Sequence, residues 1–379
     1  MGTDSAPTLL RCFASLPDPR VQRTQRHKLI DILAIAILGM ICGADTWVDI
    51  ADFGRAKEPW LRGFLELPNG IPSHDTFGRV FARVDPEQFR LCFLDWVKTV
   101  AKLTRGQVIA IDGKTVRRSH DRVAGREAIH MVSAWATVNH LTLGQVKVDA
   151  KSNEITAIPE LLRLLDLQGC IVTLDALGCQ REIAEQIIRQ GGDYVLAVKE
   201  NQSGLSERVQ GIFERAECAD YAQIEEHEAY ETIGKGHGRI EIRRCWMISD
   251  PAQALYAQSL VFWAGLRSLI KIVSERRVGD QVSTETRYYI ASLSGNARRG
   301  LNAVRSHWGV ENGLHWSLDV TFGEDDSRVR KDHAPENLAM LRRLALSLLK
   351  QERTAKCGLK AKRLMAGWNE AYLLKVLKV

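Results

Sequence analysis

Two short apolar runs, residues 108–111 (Val-Ile-Ala-Ile) and 171–174 (Ile-Val-Thr-Leu), each stop at an aspartate, Asp112 and Asp175, and a turn signal follows at once: Gly113-Lys114 after the first, Ala176-Leu177-Gly178 after the second. Runs of this length and β-branched content bounded by glycine read as buried strands, so each carboxylate emerges at a strand tip. The first run is followed by two more β-type runs, 131–138 and 143–148, joined by short polar turns, which predicts an antiparallel meander. A helical stretch at 154–166, a strand at 170–174, a helix at 180–190 stopped by Gly191-Gly192, and a strand at 194–198 complete the series.

The order β-β-β-α-β-α-β is that of a ribonuclease-H-like core, in which the first and fourth strands lie side by side. Before it, the first hundred residues alternate apolar runs with helix punctuation, Pro72-Ser73 ahead of Asp75-Thr76-Phe77 among them, and this all-helical pattern ends near Arg105-Gly106. After it, residues 219–294 return to β-rich segments (240–248, 260–264, 287–291) before long helices resume, as an insertion in the core would. The expected class is α/β (α+β): a ribonuclease-H-like mixed-sheet catalytic core over 105–350 with a β-rich insertion at about 219–295, an N-terminal helical domain over 1–104, and a basic tail over 351–379.

Composition excludes several alternatives. The eight cysteines are scattered without a CxxC pair or zinc-finger spacing, so neither a disulfide framework nor a structural zinc is indicated. The longest apolar run, 32–44, has thirteen residues against the roughly 20 a membrane helix needs, and no signal-peptide pattern precedes it. A cytoplasmic protein with a buried core helix is expected. Net charge is only +6, but 339–379 alone carries ten Lys or Arg against two Glu, and Arg20, Arg23, Arg26 and Lys28 form a second cluster. Such clustering fits a polyanionic partner, nucleic acid being the commonest, or a solvated basic face.

If the strands ending in Asp112 and Asp175 are neighbours, their carboxylates repel unless a divalent cation lies between them; each could otherwise cap the turn that follows. A third acid is sought in 305–330, where a continuous helix would put His307, Glu311 and His315 at i, i+4 and i+8 on one face. An all-oxygen set of Asp112, Asp175 and Glu311 suits Mg²⁺ or Mn²⁺, and two such ions about 3.5–4 Å apart serve in-line phosphoryl displacement. A His-Glu-His zinc arrangement is the competing reading, and it leaves the strand-end aspartates unexplained. Trp308 and Trp316 are expected to pack in the core, and Glu324, Asp325 and Asp326 to cap or pair at the surface. There is no GxxxxGKS loop, so ATP use is not implied.

The blocks AIDGKTVRRSHD, VTLDALGCQ and RSHWGVENGLHWSLDVTFGEDDSR, with ELPNGIPSHDTFGRVF upstream, resemble those of the DDE transposases of bacterial insertion sequences, in the group of the H-repeat-associated proteins of Rhs elements. The resemblance implies Asp112, Asp175 and Glu311 as catalytic and metal-binding acids, 63 and 136 residues apart. It implies double-stranded DNA as partner, both element ends and target, and a homodimer to pair two ends. Relatives carry Tyr, Arg and Lys around the glutamate, whereas this chain has Val304, His307 and Leu318; phosphate contacts then fall to Arg305, His307, His315, Arg328 and Arg330, with Lys114, Arg117 and Arg118 after the first acid. A nuclease that cuts without joining, and a catalytically inactive transposase-derived DNA-binding protein, are the alternatives.

Overall fold

Side-chain caps open three helices of the first hundred residues: Thr46 and Asp49 form a reciprocal capping box, Ser73 accepts from the Thr76 amide, and Asp85 accepts from the Gln88 amide. The computed structural model describes residues 8–101, 104–121, 125–148, 153–236, 238–259 and 261–377. In chain order these contain α1 (Thr8–Cys12), α2 (Leu29–Cys42), α3 (Trp47–Leu61), α4 (His74–Arg83), α5 (Pro86–Val100), β1 (Val108–Thr115), β2 (His130–Ala136), β3 (Leu141–Lys147), α6 (Glu154–Arg163), β4 (Ile171–Leu174), α7 (Arg181–Arg189) and β5 (Asp193–Val198). There follow α8 (Ser203–Cys218), β6 (His227–Gly236), β7 (Arg239–Ile248), α9 (Pro251–Ala257), β8 (Ser268–Val278), β9 (Gln281–Ala291), α10 (Ala297–His307), α11 (Trp316–Val320), α12 (Ala334–Gln351), α13 (Leu359–Trp368) and α14 (Glu370–Leu377).

The chain forms two compact units. One comprises Met1–Lys102, Gly113–Ser152 and Glu311–Val379; the other comprises Leu103–Asp112 and Asn153–Val310. The chain passes from one to the other within β1, between Asp112 and Gly113, and again between Val310 and Glu311.

The first unit is organised around α2, whose residues 32–41 are all buried, with α3, α12 and α13 packed on it. The apolar run read as a core helix is one, and among the described residues no single helix is long and apolar enough to cross a membrane. Buried polar side chains join helix to helix by taking carbonyls at C-terminal ends. Asn337 Nδ2 donates to the Phe81 and Val84 carbonyls (2.8 and 2.9 Å) past the end of α4. Arg363 donates to Met40 O (2.9 Å) near the end of α2, and Lys362 to Leu349 O (3.0 Å) near the end of α12. Four of the ten basic residues counted in the C-terminal stretch, Arg342, Arg343, Lys362 and Arg363, are therefore interior. Residues 359–377 are helices packed within this unit, not a free tail, because a cation at a helix C-terminus satisfies orphan carbonyls.

In the second unit the first and fourth strands are neighbours, as the element order requires: β1 pairs parallel with β4 and β4 with β5, Val108 opposite Ile171 and Ile171 opposite Asp193. β9 runs antiparallel to β5, and β8, β7 and β6 extend the sheet in antiparallel order. α10 packs on this sheet through Leu301, Ala303 and Val304, over Val108, Ile171, Val195, Met247 and Ile270. The β-rich segment thus continues the sheet, giving the mixed α/β architecture expected. The strand expected at 260–264 is absent: Leu260 lies outside the described residues, and 261–264 is a non-strand segment that buries Trp263. β6 and the outer ends of β8 and β9 are exposed on both faces, so they lack the apolar alternation by which strands are read.

Candidate active site

Glycines set the register that places the two aspartates. Gly106 donates its amide to Gly169 O (2.7 Å), and Gly169 donates to Gly191 O (2.8 Å), so the starts of β1, β4 and β5 are fastened in a row. All three lie in the left-handed region, at φ 80°, 69° and 74°. Asp112 and Asp175 each stand six residues beyond the first two of these glycines, and the pairing Val108–Ile171 through Ala110–Thr173, continued two positions, sets Asp112 opposite Asp175. Both are half-buried. Burial pushes the Asp175 carboxyl above the usual carboxylate range, while the Gly178 amide, donating to Oδ1 at 3.2 Å, pulls the other way. Asp175 thus also caps its turn, and Gly178 is tight against the strand: a Cβ there would meet Leu174 Cβ at 2.9 Å.

His307, at the end of α10, is held on β4 through a 3.1 Å hydrogen bond between Nδ1 and Thr173 Oγ1. Burial pushes it down to about 4, with Arg287 adding to the effect, so it is neutral near pH 7 and brings no charge to a phosphate. Arg305 is exposed and borders a cleft with Arg243, Arg276, Arg287 and Trp308. Trp308 is 47% exposed with the Arg287 guanidinium 4.6 Å from its ring, and Trp316 is 57% exposed. Neither is the core residue the sequence predicted.

Glu311 and His315 belong to the first unit. The single helix expected from 305 onward is broken: α10 ends at His307, residues 311–315 form a π-turn, and α11 follows. The π-turn, which closes i→i+5, interrupts the continuous α-helix on which the i, i+4, i+8 reading rested, although Glu311 and His315 still face each other within it. Glu311 is exposed, whereas His315 is buried with Nδ1 3.6 Å from a Glu311 oxygen. Burial, with Arg343 and Lys114 nearby, pushes His315 down to about 3, so that approach is not an ion pair at neutral pH.

Lys114 is only 8% exposed, and its ammonium lies 2.7 Å from Asp319, 3.0 Å from Asp325 and 3.5 Å from Glu324. Burial works against its charge, yet Glu324, Asp319 and Asp325 hold it above the ordinary lysine value. Fully buried Glu324 pairs in turn with fully buried Arg343 (2.9 Å), whose Nε donates to Ser133 Oγ on β2 (3.3 Å). Lys114 and His315, expected from the sequence to be phosphate contacts, are thus interior side chains. Arg117 and Arg118 stay exposed while pairing with Asp325 and Asp326 (3.2 and 3.3 Å), Arg330 donates to Arg118 O (3.1 Å), and Arg328 is exposed. Sequence reading missed the partnership of 319, 324 and 325 with Lys114, since about two hundred residues separate them. The glycine pair carried a legible signal in its equal spacing to the two aspartates.

Two family models match most of the chain. Residues 10–97 match the DDE_Tnp_1-associated family and residues 103–348 the Transposase DDE domain family. The "H repeat-associated putative transposase YhhI" of Escherichia coli K12 is 41% identical over 374 residues, covering 97% of each chain. An "Uncharacterized protein in dhlA 3'region" of Xanthobacter autotrophicus is 46% identical over 284 residues, covering 74% of this chain and 92% of the relative. Among solved structures, a piggyBac transposase synaptic complex with hairpin DNA aligns with a TM-score of 0.41 at 10% identity, over 97% of this chain and 77% of the other.

Proposed function

The chain belongs to the Transposase DDE domain family, and from that membership we propose that it is a DNA transposase that cuts at insertion-sequence ends and joins the freed strands to target DNA. The observation that carries the reading is the parallel pairing of β1 with β4 beyond the Gly106–Gly169 bond, which, continued two residues past Ala110–Thr173, sets Asp112 opposite Asp175. The motif resemblance supplies Glu311 as the third acid.

The donor set fits a hard divalent cation. All three groups are carboxylates, and the half-buried Asp175 carboxyl, resisted in its ionisation by burial, is what a cation would relieve. Asp112, Asp175 and Glu311 would hold Mg²⁺, or Mn²⁺. When bound, such an ion screens the phosphodiester's negative charge and favours the deprotonated form of the attacking oxygen. The chain's own acids would orient the phosphodiester only through such an ion, because carboxylate and phosphate repel one another.

Two exchanges at phosphorus make up the reaction. In cleavage, the oxygen of water bonds to phosphorus as the bond to the bridging 3′-oxygen breaks, leaving a 3′-hydroxyl and a 5′-phosphate. In joining, that 3′-hydroxyl bonds to a target phosphorus and the target's own 3′-oxygen departs. Both replace one P–O bond by another, so one acidic set serves both. Two protomers would pair two ends, and the exposed Arg117, Arg118, Arg305 and Arg328 would meet phosphate.

The deciding experiment is Mg²⁺-dependent cleavage and joining of a duplex carrying the sequences that flank the gene, by the natural protein and by Asp112→Ala, Asp175→Ala and Glu311→Ala. Loss of both steps with DNA binding kept in all three variants is the expected result. Cutting without joining by the natural protein would favour a nuclease, and binding without cutting an inactive DNA-binding descendant.

A further inference from the structure

We propose that Lys114 is a positioning residue for Glu311, acting through Asp319. This rests on the reading that Glu311 is a metal-holding acid, and it assigns a role to a buried charge cluster that the reaction itself does not use.

Glu311 opens the π-turn, and α11, carrying Asp319, continues directly from it, so whatever fixes Asp319 fixes the direction in which Glu311 projects. Asp319 is fixed by Lys114, 2.7 Å away on the last residues of β1. Lys114 is fixed in turn by Asp325 and Glu324, and Glu324 by Arg343, which donates to Ser133 on the neighbouring β2. Five charged side chains therefore join β1, β2, α11, the turn at 324–326 and α12 in one first-unit network. A point charge enclosed by three carboxylates is a poor phosphate ligand but a stiff brace: moving the helix would take Asp319 from the buried cation it faces. The π-turn is the element needing that brace, since its i→i+5 closure is weaker than an α-turn and is common at functional sites. Lys114 also follows Asp112 by two residues along β1, so the same short segment leads directly from one acid to the anchor of another.

The test is Mn²⁺ binding, followed by the electron paramagnetic resonance signal of the free ion, on the full-length natural protein, Glu311→Ala, Lys114→Met, Lys114→Arg and Asp319→Asn, with melting temperature and duplex binding measured alongside. The expected result is Mn²⁺ affinity at least about 10-fold weaker in Lys114→Met and Asp319→Asn, duplex affinity within about 2-fold of the natural protein, and partial recovery in Lys114→Arg. If Lys114→Met does not fold, Asp319→Asn, at a partly exposed position, carries the test. Natural Mn²⁺ affinity in folded Asp319→Asn and Lys114→Met would overturn the proposal while leaving Glu311's role intact. Reduced duplex affinity with natural Mn²⁺ affinity would overturn it in favour of a direct phosphate contact. Unchanged Mn²⁺ binding in Glu311→Ala would overturn the underlying assignment of Glu311, and this proposal with it.

Discussion

The amide of Gly106 and the carbonyl of Gly169 are 2.7 Å apart, and each glycine stands six residues before an aspartate. One hydrogen bond at the strand starts thereby sets the relation of a carboxylate within β1 to one just past the end of β4, because parallel strands of equal rise keep their offset.

Replacing either glycine is expected to cost stability. Gly106→Ala has open space around its Cβ, so only the left-handed backbone is penalised, by about 1 kcal/mol. Gly169→Val adds a Cβ 2.9 Å from Arg105 Cγ and should cost about 2 kcal/mol. Urea midpoints at constant slope check this; an unchanged midpoint for Gly169→Val would show that the register has another source.

The Glu324–Arg343 pair, fully buried at 2.9 Å, should behave asymmetrically. Arg343→Met alone removes the hydrogen-bonded partner of a fully buried carboxylate and should destabilise by about 3–5 kcal/mol, whereas Glu324→Leu with Arg343→Met should recover much of that loss. A double-mutant cycle by chemical unfolding decides it, and strictly additive costs would refute coupling.

Stability should fall on mild acidification, in part through His307. Its folded pKa, about 4, lies below the ordinary imidazole value near 6.5, so between them the unfolded chain binds the proton and the native one resists it. The native advantage is full above about 6.5 and shrinks as pH falls toward 4. Melting temperatures from pH 7 to 5 should drop more steeply for the natural protein than for His307→Gln; parallel curves would contradict the shift.

The C-terminal basic residues should split by burial. Arg353→Ala, Lys356→Ala and Lys360→Ala, at exposed positions, should leave melting unchanged and lower the salt dependence of duplex binding by about 0.9 for each phosphate no longer neutralised. Arg363→Ala, which removes a cap on Met40 O and an ion pair to Asp45 at 2.6 Å, should destabilise instead. Fluorescence anisotropy across a salt series and thermal scans separate the two groups; an intact salt slope in the triple variant would place DNA elsewhere.

The strands that carry or precede Asp112 and Asp175, the element order that makes β1 and β4 neighbours, and the buried helix at 32–41 were determined by the sequence itself, because apolar periodicity and turn chemistry act over a few residues. So was the family, through motifs that survive as strings. The strand tip expected at Asp112 is not there, since β1 continues to Thr115. The π-turn at 311–315, the exposure of Trp308 and Trp316, and the exposed strand β6 with the outer ends of β8 and β9 left no such trace, since sheet partners and helix packing, not local preference, decide them. The clearest case is Lys114. Beside a glycine at a strand end it reads as a phosphate contact, and only the return of residues 319–325 and 343 to the same place in the fold makes it an interior cation whose carboxylate partners, not solvent or DNA, satisfy its charge.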